Sequence, residues 1–142
     1  MELLKLHPPL VHFGIALPFA LLVLDLYYRY SKREPDGLHL LLSLLASSSV
    51  VLSFISGVLA HNPIEDKLHQ IHVFPLHEGL GLFLALYFII LAGLRLSFKK
   101  FSKARDIYTV GLLLGVLALF LQGSLGGAIV YDHMIRPWLE ER

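Results

Sequence analysis

The chain has 142 residues, 56% of them hydrophobic and 16% charged, with a mean hydropathy of +0.67. A soluble domain carries about 25% charged residues, so this composition excludes one and leaves a single domain whose solvent is a membrane. The formal net charge of +1 says little, because the charges sit in short polar segments; cysteine is absent, so any metal or haem must rest on His, carboxylate or Met.

A span needs roughly 20 mostly apolar residues to cross about 30 Å of hydrocarbon. Four stretches meet this, at about residues 10–28, 38–60, 76–98 and 107–131, within one domain covering 1–142. Pro8 and Pro9 stand where the first helix would start, and Pro18 is expected to kink it. The apolar run lacks the small-residue exit of a signal peptide and is expected to be retained. The second span carries a run of serines, Ser47, Ser48, Ser49, Ser53 and Ser56, which suits close helix packing. Pro75 opens the third span. The fourth holds Gly111 and Gly115, then Gly123 and Gly127, at the spacing of close helix contacts. Gly126 and Gly127, one turn below His133, would also admit a flat macrocycle.

The connectors YSKREPDG, HNPIEDKLHQIHVFP and SFKKFSKARD are short, which predicts an all-α, four-helix transmembrane bundle with antiparallel up-down topology. Arg29, Lys32, Arg33, Arg95, Lys99, Lys100, Lys103 and Arg105 flank the first and third connectors, whereas Lys5, Lys67, Arg136 and Arg142 lie on the other side. By the positive-inside rule both termini face away from the cytoplasm, in a multi-pass protein of the cell (inner) membrane. Tyr27, Tyr28, Tyr30, Tyr131 and Trp138 stand at span ends, as interfacial belts do. Asp25 precedes Arg29 at the i,i+4 spacing of an ion pair.

That orientation puts seven of the 8 histidines at or near the outer face, with His39 alone inside. His12 lies 17 residues from Arg29 and His77 lies 18 from Arg95, which at about 1.5 Å per residue sets both roughly 26 Å above the inner boundary. His7, His61 and His133 form a more superficial tier by the same count. An ionisable residue inside a span is a functional candidate by default, because burying it without partners is costly. His12 and His77 therefore lead, with His7 and His133 behind them. His69 and His72 are expected in a solvated connector, and His61 divides evenly between a site residue and a plain helix end.

The residues HPPLVHFGIAL at 7–17, Asp25, His77 and the closing GGAIVYDH at 126–133 resemble a bacterial membrane family catalogued as domain of unknown function 2231. Its opening reads HP, two residues, VHFPIAL; Gly14 here replaces the usual proline. The likeness covers the whole chain and carries His7, His12, His77 and His133, but not His61, His69 or His72. Members with this resemblance are found fused to Rieske iron–sulfur or c-type cytochrome domains, which implies a redox setting and such partners beside the lipid bilayer.

Three functions follow from these readings. The leading one is a b-type haem protein for electron transfer in the outer half of the membrane, with haem b held by His12 and His77 and a second site on His7 and His133. The second is a metal-binding protein that holds a divalent Zn, Cu or Fe ion on the same four histidines. The third is a structural subunit of a respiratory membrane complex. A redox role leaves enzyme status open, as does oligomerisation, and no nucleic-acid partner is expected. Hydrolysis is disfavoured, because no acid and base pair inside the spans.

Overall fold

The computed structural model describes residues 2–62, 65–99 and 103–140. Its elements are α1 (Glu2–Tyr30), α2 (Gly37–His61), a short α3 (Glu65–Leu68), α4 (Phe74–Leu96), α5 (Ala104–Ala128), a wider π-helical segment Ile129–Ile135 and α6 (Arg136–Glu140). The fold is all-α, and four helices are long and apolar enough to cross a membrane: Leu6–Tyr30, Gly37–His61, Phe74–Leu96 and Ala104–His133. At most 33% of any of these apolar windows is buried inside the bundle. The remaining leucine, isoleucine and phenylalanine faces have no protein cover, and their natural solvent is the bilayer.

The spans begin and end a few residues from where hydropathy alone sets them, for local reasons. Asp36 accepts the N–H groups of Leu38 and His39 at 3.0 and 3.1 Å, a side-chain cap that fixes the start of α2. In α1 the helix begins before Pro8 and Pro9 instead of at them, and runs unbroken through Pro18. Pro18 removes the N–H that would reach the Gly14 carbonyl, and in a membrane neighbouring helices relieve such gaps. The second connector is less polar than its composition implies. Leu68 of α3, Phe74 and Ile129 form a small buried cluster beneath it, while His69 and His72 stay exposed.

Each long helix packs on two neighbours, α1 on α2 and α5, and α4 on α2 and α5. The main core lies between them, built from Leu21, Ala46, Val50, Leu84, Phe88, Leu112, Val116 and Leu119. Small residues bring the backbones together. A Cβ on Gly115 would lie 2.9 Å from the Tyr87 ring and 3.1 Å from that of Phe88, and one on Gly111 would lie 3.0 Å from Leu91. Gly14 faces Ser53 at the α1–α2 contact, where Ser53 Oγ donates to the Leu10 carbonyl at 2.7 Å and Ser49 Oγ to that of Phe13 at 3.3 Å. Ser49, Ser53 and Ser56 of the serine run thus serve packing, whereas Ser48 is exposed.

The arginine-bearing end is closed by a buried polar knot that joins all four long helices. Asp25, fully buried, accepts from Thr109 Oγ1 at 2.5 Å and from His39 Nε2 at 3.0 Å. Arg95 Nε donates to His39 Nδ1 at 2.8 Å, so the single His39 proton sits on Nε2. Arg29, the expected i,i+4 partner, is 3.7 Å from Asp25, and its Nε also donates to Thr109 at 2.6 Å. Beside the knot Ser43 and Tyr108 share a hydrogen bond of 2.6 Å. Tyr28 is no interfacial belt residue: it is 3% exposed and its hydroxyl donates to the Asp36 carboxylate at 3.0 Å. Tyr27, Tyr30 and Tyr131 are exposed at helix ends, as expected; the Trp138 side chain lies outside the described residues.

Candidate metal centre

At the opposite end three imidazoles converge. His7 of α1, His61 at the last turn of α2 and His77 in the first turn of α4 each offer a ring nitrogen, and these atoms lie within 4.8 Å of one another. The ring centroids of His7 and His61 are 5.8 Å apart, and those of His61 and His77 are 6.2 Å apart. All three rings are half-buried.

Glycines and a serine set these rings in place. A Cβ on Gly57 would stand 3.0 Å from His7 Cε1, and one on Gly126 would stand 3.1 Å from His77 Cε1. Each imidazole therefore sets its Cε1 edge close against a glycine of a facing helix, where a larger residue would push it away. His7 Nδ1 is 2.9 Å from Ser56 Oγ, and that hydroxyl gives its own hydrogen to the Ser53 carbonyl at 2.8 Å. Ser56 is consequently the acceptor, the His7 proton sits on Nδ1, and Nε2 keeps a free lone pair. His77 Nδ1 is buried without a hydrogen-bond partner among the described residues, while Gln122 Nε2 donates to the His77 carbonyl at 2.9 Å. The Phe74 ring meets His61 edge-on at 5.0 Å. The rings border a cavity of about 430 Å³ lined mainly by apolar side chains and glycines of the four long helices.

The four histidines chosen from the sequence have different fates. His7 and His77 are brought together, with His61 as the third member. His12 is exposed at the cavity rim, its Nδ1 donating to the Pro8 carbonyl at 2.6 Å, and it is outside the three-ring group. His133 is exposed on the π-helical segment and does not line the cavity. The expected tiers also change: His77 stands level with His7 and His61, not beneath them. Arg29 and Arg95 are not equivalent depth marks, because Arg29 reaches outward to Asp106 whereas Arg95 turns into the knot at His39. Asp25 and Arg95 both contact His39 and do share a level. His7 is eighteen residues from Asp25, and His77 is eighteen from Arg95. A buried knot is not visible in a charge count, so the wrong zero was taken. His61 already shared a tier with His7 by residue count, and that signal pointed to it.

Four membrane-crossing helices with a histidine cluster at one end and a buried ionic knot at the other define an integral membrane protein with one prepared polar site. The family model described as "Predicted membrane protein (DUF2231)" matches residues 4–137, and the chain belongs to that family. No curated protein and no solved structure matches it.

Proposed function

We propose that this protein binds a transition-metal ion in the membrane on His7, His61 and His77. The observation that carries the reading is the convergence of three imidazoles from three helices, one of them with a buried nitrogen that has no other partner among the described residues. Imidazole suits Zn, Cu, Ni and Fe. Metal–nitrogen bonds of about 2.0–2.1 Å put tetrahedral ligand atoms about 3.3 Å apart, so closing the site moves each ring inward by under about 1 Å. The Nδ1–H of His7 held by Ser56 is the outer hydrogen bond that metal-ligating histidines usually make. Three protein ligands leave the ion an open position, as in catalytic rather than structural sites. The Lys and Arg distribution supports a site on the non-cytoplasmic side of the cell membrane, and the family resemblance supports redox partners of the Rieske or c-type cytochrome kind.

A b-type haem for electron transfer is the second reading, favoured by a glycine-lined cavity larger than a bare ion needs. A haem iron takes two axial imidazoles, so one member of the cluster is surplus to it. Metal analysis and a visible spectrum of protein purified from haem- and metal-replete cells separate the two. Stoichiometric zinc, copper, nickel or iron without a Soret band is the expected result; a Soret band that survives His61→Ala replaces the ion with haem.

A further inference from the structure

Besides the three ligands, Ser53, whose hydroxyl is already engaged, and Glu78 and Tyr131 at the mouth, two polar side chains line the cavity, Gln122 and His12. Gln122 uses Nε2 on the His77 carbonyl, and its Oε1 is buried without a partner among the described residues. His12 uses its Nδ1 proton on Pro8, which leaves Nε2 as a lone pair at the rim. Both are acceptors, whereas the open position of an ion held by three imidazoles wants an oxygen lone pair. A group that supplies a lone pair and a hydrogen from one atom is a hydroxyl.

The rest of the molecule carrying that hydroxyl must match the remaining wall. At about 430 Å³ the cavity far exceeds the roughly 30 Å³ share of a single water. Its lining away from the histidines is mainly aliphatic side chains and glycines. Val11, His12, Ile15 and Gly123 line it from within and also line, with Ala16 and Phe19, a groove between α1 and α5 on the exposed apolar face. At Gly123 a Cβ would already lie 3.1 Å from Ile15 Cδ1, so one isoleucine side chain against a glycine separates cavity from groove. That groove faces lipid, and a ligand taking this route is dissolved in the bilayer.

We infer that the cavity binds an apolar alcohol from the membrane, its hydroxyl oxygen on the ion, its hydroxyl hydrogen on Gln122 Oε1 and its chain leaving between α1 and α5 past Ile15. The inference rests on the metal reading, and its test keeps the two apart. Full-length protein in phosphatidylcholine vesicles is loaded with cobalt(II), whose visible bands report coordination. The cobalt bands should appear in wild type, shift on addition of 1-decanol and stay unmoved with decane. Ala16→Trp, which fills the groove without reaching the three imidazoles, should bind cobalt as wild type does and need at least tenfold more decanol for the same shift. Cobalt binding with no decanol response, an equal response to decane, or an unchanged response in Ala16→Trp overturns the alcohol site and leaves the metal site standing. Failure of wild type to bind cobalt, zinc or copper overturns both.

Discussion

Replacement of His61 by alanine is the sharpest probe of the proposed metal centre, because His61 is a ligand only if the three rings act together. Four-ligand structural zinc sites carry about 10–16 kcal/mol of apparent binding free energy, or about 3 kcal/mol per ligand, and 1.4 kcal/mol is a factor of ten. His61→Ala should therefore weaken zinc binding by about a hundredfold or more, as should His7→Ala and His77→Ala. Ser56→Ala leaves all three imidazoles in place but frees the His7 ring, and a lost outer hydrogen bond of this kind costs about 10–100-fold. His12→Ala, outside the cluster, should stay within about twofold, since ordinary surface changes fall within about 0.5 kcal/mol. Competition titration against a chromophoric chelator in detergent measures all five variants, with elution volume and melting temperature as folding controls. The reasoning fails if His61→Ala binds zinc like wild type while His12→Ala does not; that pattern belongs to a site on His12 and His77.

Other expectations test the scaffold. Gly115→Leu should lower thermal stability by about 1–3 kcal/mol, because its Cβ alone falls 2.9 Å from the Tyr87 ring; an unchanged melting temperature would mean that α4 and α5 are not in close contact. Gly127→Leu should be tolerated far better, since a Cβ there meets nothing within 4 Å. Asp25→Ala should cost about 3–5 kcal/mol, since it leaves the buried His39 Nε2–H and the Thr109 hydroxyl without their acceptor and Arg29 without its i,i+4 ion pair, and Asp25→Asn should cost less; equal stability of all three proteins would deny the knot any role. The Asp36 carboxyl is held below the usual range, first by the His39 N–H and then by Tyr28 and the Leu38 N–H. Because its folded value is lowered, its contribution is complete above about pH 3.9 and is lost as pH falls through the lowered value, so amide exchange at Leu38 and His39 should quicken only in that acid window.

The four spans were legible because apolar length is a local property, and lipid imposes it without reference to partners. The small-residue spacings were legible for a similar reason, and Gly111 and Gly115 do sit in the α4–α5 contact. Gly127 does not, because spacing names a helix face but not its occupant. The knot was half-legible: Asp25 and Arg29 are neighbours on one helix, whereas Asp25, His39 and Arg95 meet only through tertiary packing. The site suffered from the same blindness. Counting from Arg29 shifted α1 by one turn, which set His12 instead of His7 level with His77.

The contrast between the two ends bears on how an ion reaches the cluster. A route from the arginine-bearing end would have to pass Asp25, whose carboxylate is taken by His39 and Thr109. It would then meet the serines of α2, but Ser49 and Ser53 each share their one hydroxyl hydrogen between carbonyls of α1 and α2, Ser56 gives its own to Ser53, and among the described residues no carboxylate stands between. Desolvating a divalent cation along that path is prohibitively costly, because nothing replaces its water. At the histidine end, by contrast, the exposed Glu78 and Tyr131 line the cavity mouth, and the rings lie one short step below it. The polar chemistry of the bundle is therefore one-sided: the knot fixes the four helices where nothing need enter, and leaves the imidazoles where they can be reached.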